Sequence, residues 1–281
     1  MQRPLRILCF VLMGGYASLL CAQEKQFRWF PDSRVFPRLS FDLLETQTYA
    51  GLFYLNSENQ TYQGAYLPVN LGLQKVFVQG KLVDLDYELA LGAASYTQFE
   101  VIKYDAHTLR GGLLNTDYKA SGFFSLRKSN HALRLQVFHI SSHLGDDYLL
   151  RNEALVLNNK TVNYEQVDIL YMYSHQTIEY YAGLGGVITP HAFRKRFMAE
   201  IGLQGKTSWT QSIDWVFGFD AKIYHQNNFI PDIHWGTGIV FKAQNKQQLG
   251  FSLDGYFGHM PYSTLDYGKV YWIGLSSHLL I

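Results

Sequence analysis

The chain has 281 residues and a formal net charge of +1, with 24 basic and 23 acidic side chains. This balance gives no indication of a nucleic-acid-binding protein. Aromatic residues make up 16% of the chain, charged residues make up 17%, and there are 24 glycines. This composition favours β structure over helices.

The first 22 residues, MQRPLRILCFVLMGGYASLLCA, have the pattern of a secretory signal peptide. Arg3 and Arg6 form a basic start, an apolar run extends from Ile7 to Leu20, and Ala22 is a small residue at the expected cleavage position. A membrane anchor is the alternative, but the apolar run is too short for one. Both cysteines lie in this segment. A chain cleaved after residue 22 would therefore have no disulfide, no thiolate metal site and no thiol nucleophile.

Residues 23–46 are expected to form an irregular periplasmic lead-in. Between Glu24 and Arg38 this segment has four aromatic residues and two prolines. No linker or low-complexity tract follows, so residues 47–281 are expected to form one domain. No stretch after residue 22 has the roughly 18 consecutive apolar residues that a spanning helix requires.

Apolar and polar residues alternate along many segments of this domain, which predicts β-strands. In VDLDYELALGA, residues 83–93, every second residue from Val83 to Leu91 is apolar, and three acids stand between them. IDWVFGFDAKI, residues 213–223, has the same period. Many such segments of about ten residues, with long apolar side chains on one face and glycines and charges on the other, are typical of a transmembrane β-barrel. A closed barrel satisfies all backbone hydrogen bonds in hydrocarbon without helices.

In chain order we expect about twelve strands, an even number as in outer-membrane barrels. They lie near residues 47–55, 67–79, 82–97, 118–128, 131–142, 162–174, 177–187, 196–205, 211–225, 229–243, 247–258 and 268–281. The connections after even-numbered strands are mostly short, and those after most odd-numbered strands are longer. This asymmetry is typical of periplasmic turns and extracellular loops. The predicted fold class is therefore all-β, a single antiparallel transmembrane barrel of outer-membrane type.

The alternation also predicts which charged side chains face the lumen. The set comprises Asp84, Asp86, Glu88, Arg134, Glu179, Glu200, Asp214, Asp220, Lys222 and Asp254. A lumen lined in this way could pass small solutes. Because a barrel of about twelve strands is narrower than a porin, the same charges could instead pair with one another and close it.

The last segment, VYWIGLSSHLLI, resembles the closing strand that the barrel assembly machinery reads, although it ends in Ile281 rather than in an aromatic residue. We therefore expect the barrel assembly machinery and outer-membrane lipids as partners. The signal peptide and the barrel pattern together predict an outer-membrane protein of a Gram-negative-type cell.

The stretch FHISSHLGDD, residues 138–147, ends the fifth predicted strand on its extracellular side. By parity, His139, Ser141 and His143 share a face with the apolar residues that point to lipid. A bulge near Val137 would reverse this register and turn the three side chains into the lumen. Whether these three side chains point to lipid or into the lumen determines which chemistry the stretch can perform.

The His-x-Ser pair resembles a motif of two families of outer-membrane lipid hydrolases, outer-membrane phospholipase A and the lipid A 3-O-deacylase. The resemblance implies Ser141 as a nucleophile and His139 as its general base, since a serine hydroxyl needs a base to take its proton. A third group must orient the imidazole. Glu165, which lies on the next strand, is the preferred candidate, and Glu153 is the alternative.

Two other interpretations of the stretch remain open. His139 with His143 and Asp146 or Asp147 could bind a divalent cation, because imidazole and carboxylate suit several such ions, or these side chains could bind a lipid headgroup. No cofactor is otherwise predicted. The polar side chains could also form only a structural rim at the membrane border.

A second resemblance covers most of the mature chain. It rests on FHISSHLGDDYLLRN, VNYEQVDILYMYSHQ, AGLGG, GFDAK and HWGTG, which begin at residues 138, 162, 182, 218 and 234. These segments resemble a bacterial family catalogued as domain of unknown function 1207, whose members are predicted outer-membrane proteins. The family supports the location and the fold but implies no activity. The competing functions are thus a lipid ester hydrolase, a channel or binding barrel, and, last, an adhesive surface protein.

Overall fold

The computed structural model describes residues 27–58, 62–103, 107–151, 162–190, 194–242, 248–262 and 267–280. The predicted signal peptide lies outside these residues. The strands are β1 (Phe27–Trp29), β2 (Thr48–Ser57), β3 (Gln63–Leu82), β4 (Leu85–Lys103), β5 (Leu109–Lys128), β6 (His131–Leu144), β7 (Asn163–His175), β8 (Ile178–Val187), β9 (Phe197–Ser208), β10 (Ile213–Tyr224), β11 (Pro231–Lys242), β12 (Gln248–His259) and β13 (Lys269–Leu280). A short helix, α1 (Asp146–Arg151), and a 3-10 turn, His225–Asn227, complete the elements.

Strands β2 to β13 form a closed antiparallel barrel of twelve strands. Each strand pairs with the next, and β13 pairs with β2 from Leu279↔Thr48 to Val270↔Ser57. The predicted fold class is therefore confirmed. The observed strands match the predicted ones, except that β3, β4 and β5 are longer because their hairpins extend past the other strands. Among the described residues, no helix has the length and apolar character needed to cross a membrane.

The two ends of the barrel differ in their connections. One end, here called the turn end, has the two-residue turns at 83–84, 129–130 and 176–177 and the connection at 209–212. Val83, Ser129 and Gln176 have left-handed φ angles in these turns, which tight hairpins require. The opposite end, here called the loop end, has the longer connections, including α1. Strand β2 starts and β13 ends at the turn end, which we expect to be periplasmic.

Burial alternates along the strands as lipid and lumen faces require. Strand β6 is exposed and buried at successive residues from His131 to Ile140. The outward residues of the wall are large and apolar, such as Leu71 and Leu73, each 61% exposed. This apolar band is the surface that hydrocarbon covers in a membrane.

The lumen is filled by the chain's own N-terminal segment. Strand β1 pairs with β3 at the turn end, and residues 35–47, here called the lumen plug, then run inside the barrel before β2. Leu39 and Phe41 in the plug are 0% and 3% exposed. These residues belong to the segment expected to be a periplasmic lead-in, and the structure places them in the lumen instead. The physical reason is that the lumen wall has buried charges and donors that the plug satisfies.

Ion pairs and backbone hydrogen bonds join the plug to the wall. The guanidinium of Arg134 makes two hydrogen bonds of 3.0 Å to the carboxylate of Glu45. Lys222 forms an ion pair with Asp42. Glu88 accepts hydrogen bonds from two plug backbone amides, the nearer at 2.6 Å. Paired groups of this kind are the arrangement in which buried charge is tolerated.

The predicted lumen charges occupy three environments. Seven are buried inside the barrel: Glu88, Arg134, Glu200, Asp214, Asp220, Lys222 and Asp254. Asp86 and Glu179 are half-buried near the turn end. Asp84 is not in the lumen, because β4 begins only at residue 85 and Asp84 lies exposed in the turn, 4.0 Å from Lys128.

Candidate functional site

The outward face of β6 presents His139, Ser141 and His143. Strand β6 pairs with β5 and β7 in an unbroken register, so no bulge interrupts it. Phe138 and Ile140 point inward and are 5% and 1% exposed. The three polar side chains therefore lie on the lipid-facing surface near the loop end of the barrel.

Glu165 lies directly across from His139 on the neighbouring strand. The register pairs the two residues, and His139 Nδ1 is 2.8 Å from Glu165 Oε1. The side chains are 47% and 50% exposed. A carboxylate bonded to one ring nitrogen fixes the tautomer and leaves Nε2 free for a reacting group.

Ser141 hydrogen-bonds to a different histidine from the one expected. Its Oγ is 3.0 Å from Nε2 of His143, whose ring lies edge-on to Tyr118 at a centroid distance of 5.8 Å. Ser141 thus lies between two imidazoles on one strand face. The structure joins His139 with Glu165 and Ser141 with His143. Sequence spacing alone did not distinguish the two histidines.

A recess in the outer wall adjoins these side chains. It has a volume of about 410 Å³ and is lined by Leu71, Ala93, Ala94, Ser95, Tyr118, Lys119, Ala120, His139 and Ser141. The recess exists because small residues on β4 and β5 replace the long side chains found elsewhere on the wall. The recess was not expected from the sequence, although the run of small residues in GAASY, residues 92–96 on β4, is a signal for it.

The inner side of the same wall is held by buried polar contacts. Ser142 is 0% exposed and hydrogen-bonds to Asp117 on β5. Asn115 donates to the same carboxylate at 2.9 Å. These bonds fix β5 and β6 behind Ser141, which favours a defined geometry on the outer face.

The residues proposed to bind a cation or headgroup are spread over the loop end. Asp146 and Asp147 form the first turn of α1, and Asp147 Oδ2 accepts a hydrogen bond of 2.9 Å from the backbone amide of Leu113. With His143 they do not form a three-ligand group within the described part of the chain. Glu153, the alternative acid, lies outside the described residues.

The one described three-carboxylate group lies in the lumen and comprises Asp42, Glu200 and Asp220. Lys222 already occupies its centre, with Nζ 3.3 Å from Glu200 and 3.5 Å from Asp220. The ammonium supplies the positive charge that a metal would otherwise provide. This group is therefore a buried ion-pair network that fixes the plug.

A second serine and histidine group lies beside a cavity of about 480 Å³, whose lining includes Ser252 and His278. Ser252 and Ser276 each lie 3.1 Å from His278 Nε2. Ser276 Oγ donates a hydrogen bond of 2.6 Å to the carboxylate of Asp254, while His278 is 4.0 Å from that carboxylate. The acid thus holds a serine rather than orienting the imidazole, so the group lacks the geometry of a catalytic triad.

Comparison with known families identifies the chain's relatives. The family model described as Protein of unknown function (DUF1207) matches residues 31–279. The chain belongs to this family. No curated protein matches the sequence.

Solved structures with a similar fold are outer-membrane barrels. The Salmonella typhi outer membrane phospholipase dimer with bound calcium has a TM-score of 0.51 at 12% identity, covering 88% of this chain and 94% of that one. An active-site mutant of Escherichia coli outer membrane phospholipase A has a TM-score of 0.54 at 10% identity, covering 94% and 96%. The likeness shows the fold.

Proposed function

We propose that the protein is a lipid ester hydrolase that acts at the membrane surface, with Ser141 as its nucleophile. The observation that carries the proposal is the lipid-facing group of Ser141, His139 and Glu165 beside a recess in the wall. Nucleophile, base and orienting acid on two adjacent strands are the parts that serine hydrolysis requires.

The base is assigned to His139 because, of the two imidazoles, it is the one bonded to a carboxylate. For this role, Ser141 Oγ must turn from His143 toward His139 Nε2 by a change of its side-chain torsion. Oγ then attacks the ester carbonyl while Nε2 takes its proton, and the imidazolium gives that proton to the departing alcohol. Water attacks the acyl-enzyme in the same way, which releases the fatty acid and restores Ser141. Glu165 stays ionised and holds the ring throughout.

The substrate is a membrane lipid, because the reacting groups face the apolar band rather than the lumen. The recess beside Ser141 can seat an acyl chain against Leu71 and Ala93. The similar structures named phospholipase support this substrate class by analogy of fold. Headgroup contacts at the loop end are assigned to His143, Asp146 and Asp147.

The proposal is tested with purified protein in mixed detergent micelles that contain a phospholipid or lipid A. Release of free fatty acid is expected, with multiple turnovers. An ether-linked lipid of the same chain length serves as the control and should give no product. Failure to release fatty acid from both ester substrates would contradict the proposal.

The lumen plug argues against the alternative of a small-solute channel. Residues 35–47 cross the lumen and are held by buried ion pairs with Arg134 and Lys222. We therefore expect no conductance steps from the purified protein in planar bilayers, with a porin inserted under the same conditions as the positive control. Reproducible unit steps would show that the lumen is open. Assembly by the barrel assembly machinery through β13 remains a prediction.

A further inference from the structure

A cavity lined by cations opens at the turn end of the barrel, far from Ser141. It has a volume of about 350 Å³ and lies between β1, the start of the plug and strands β3 to β5. Its lining includes Arg28, Arg34, Lys81 and Arg127, with Asp86 as the acid. This volume lies within the range of small-molecule sites, about 300–1,000 Å³. We refer to it as the cationic pocket.

The four cations of the pocket are not neutralised by ion pairs. Within the described part of the chain, none of them has a carboxylate within the 4.0 Å that defines an ion pair elsewhere in the barrel. Arg34 donates to the backbone carbonyl of Gln74 at 3.1 Å, and Arg127 donates to Ser174 Oγ at 3.0 Å. Both partners are neutral. The buried Nε of Arg127 has no hydrogen-bond partner among the described residues.

The cations of the lumen are buried and paired. Arg134 pairs with Glu45 at 3.0 Å, and Lys222 contacts three carboxylates. In the pocket, Arg34 and Arg127 are half-buried, and Arg28 and Lys81 are exposed. Asp86 lies opposite both Lys81 and Arg127 in the sheet register, and Glu45 and Glu88 attract Arg34 from beyond ion-pair distance. The lining therefore has four cations and one acid, and none of the four cations has an ion-pair partner among the described residues.

Burial lowers the pKa of Arg34, and the negative charges of Glu45 and Glu88 partly oppose that effect. An anion in the pocket would further favour the charged guanidinium.

We propose that the cationic pocket binds an anion that carries phosphate groups, independently of the hydrolytic site. Guanidinium groups bind phosphate oxygens through paired hydrogen bonds, and three of the four cations are arginines. The ligand is either a soluble phosphate ester that enters from the periplasm or the phosphodiester headgroup of an adjacent lipid. Phe27 and Trp29, which flank Arg28 on β1, are 45% and 65% exposed.

Titration calorimetry with pyrophosphate tests the pocket on the full-length protein in detergent. Arg34→Gln and Arg127→Gln are each expected to weaken pyrophosphate binding by at least about 10-fold, since each removes a charge-assisted pair of hydrogen bonds. Lys75→Gln is the matched control, because Lys75 lies on β3 outside the pocket lining and 3.9 Å from Asp32. It should change the affinity less than about twofold.

The two sources of phosphate are separated by repeating the titration in lipid nanodiscs. If a headgroup fills the pocket, pyrophosphate binds more weakly in phosphatidylglycerol discs than in phosphatidylcholine discs, and Arg127→Gln removes the difference. If the ligand is soluble, Arg127→Gln weakens pyrophosphate binding equally in both. Two results would overturn the proposal. One is that the wild type does not bind pyrophosphate detectably. The other is that both arginine variants bind pyrophosphate as tightly as the wild type while their heat-modified gel mobility shows that they are folded.

Discussion

Replacing Ser141 with alanine is expected to lower the rate of fatty-acid release by at least about 1,000-fold, close to the background rate. The substitution removes the attacking oxygen and leaves the wall intact, because Ser141 Oγ contacts only the exposed ring of His143 among the described residues. Ser277→Ala is the matched control, since Ser277 is an outer-wall serine on β13 that contacts the backbone of Ala50 at 3.5 Å.

Substitution of each histidine in turn tests which of the two is the general base. His139→Ala is expected to lower the rate by about 100-fold or more, because it removes the oriented base. His143→Ala is expected to cost less than about 10-fold and to release Ser141 from its present hydrogen bond. The reverse order of effects would reassign the base to His143. Full activity in Ser141→Ala would exclude a serine mechanism at this site.

Replacing Arg134 with methionine is expected to destabilise the barrel by about 3–5 kcal/mol. Arg134 and Glu45 are 3% and 1% exposed, and they form a two-point pair between the wall and the plug. The guanidinium also lies 4.6 Å from the ring of Phe36. Its removal leaves the carboxylate of Glu45 buried without its partner, and that desolvated charge is the main penalty.

Urea unfolding in detergent measures this effect. The double variant Arg134→Met/Glu45→Leu should recover most of the lost stability, since it removes both charges. Lys206→Met is the control, because Lys206 is 45% exposed and its pair with Asp214 is partly solvated, so it should cost less than about 1 kcal/mol. A loss in Arg134→Met no larger than in the control would show that the pair does not hold the plug.

Most of the fold could be predicted from the alternation of apolar and polar residues with a period of two. It set the strands, and it placed His139 and Glu165 on lipid-facing positions of adjacent strands, since a hairpin register follows from the turn and the face. Glu165 was chosen by height across the hairpin, and the structure pairs it with His139. His139 was expected as the partner of Ser141, whereas the structure places Ser141 Oγ 3.0 Å from His143 Nε2. The two histidines are equally spaced from Ser141 in the sequence, so only side-chain torsions distinguish them.

The position of the lumen plug inside the barrel could not be predicted from sequence periodicity. Residues 35–47 have no regular period, and their contacts join residues that are far apart in the chain, such as Glu45 with Arg134 and Ser40 with Gln204. One signal was present. A narrow barrel with many inward charges needs partners for them, and Asp42 and Glu45 stand within an apolar run just before the first wall strand. The cationic pocket is formed by β1 and the start of the plug together with the wall. It could therefore not be predicted before the positions of β1 and the plug were known.

A nucleophilic Ser141 on the lipid-facing surface should react with a long-chain phosphonate ester. The folded protein is treated with this reagent, and the attachment site is identified by peptide mapping in a mass spectrometer. One phosphonate per chain is expected, attached to Ser141, with no labelling after denaturation or in the His139→Ala variant. A wild-type protein that remains unlabelled, or carries the label on another serine such as Ser252, would contradict it.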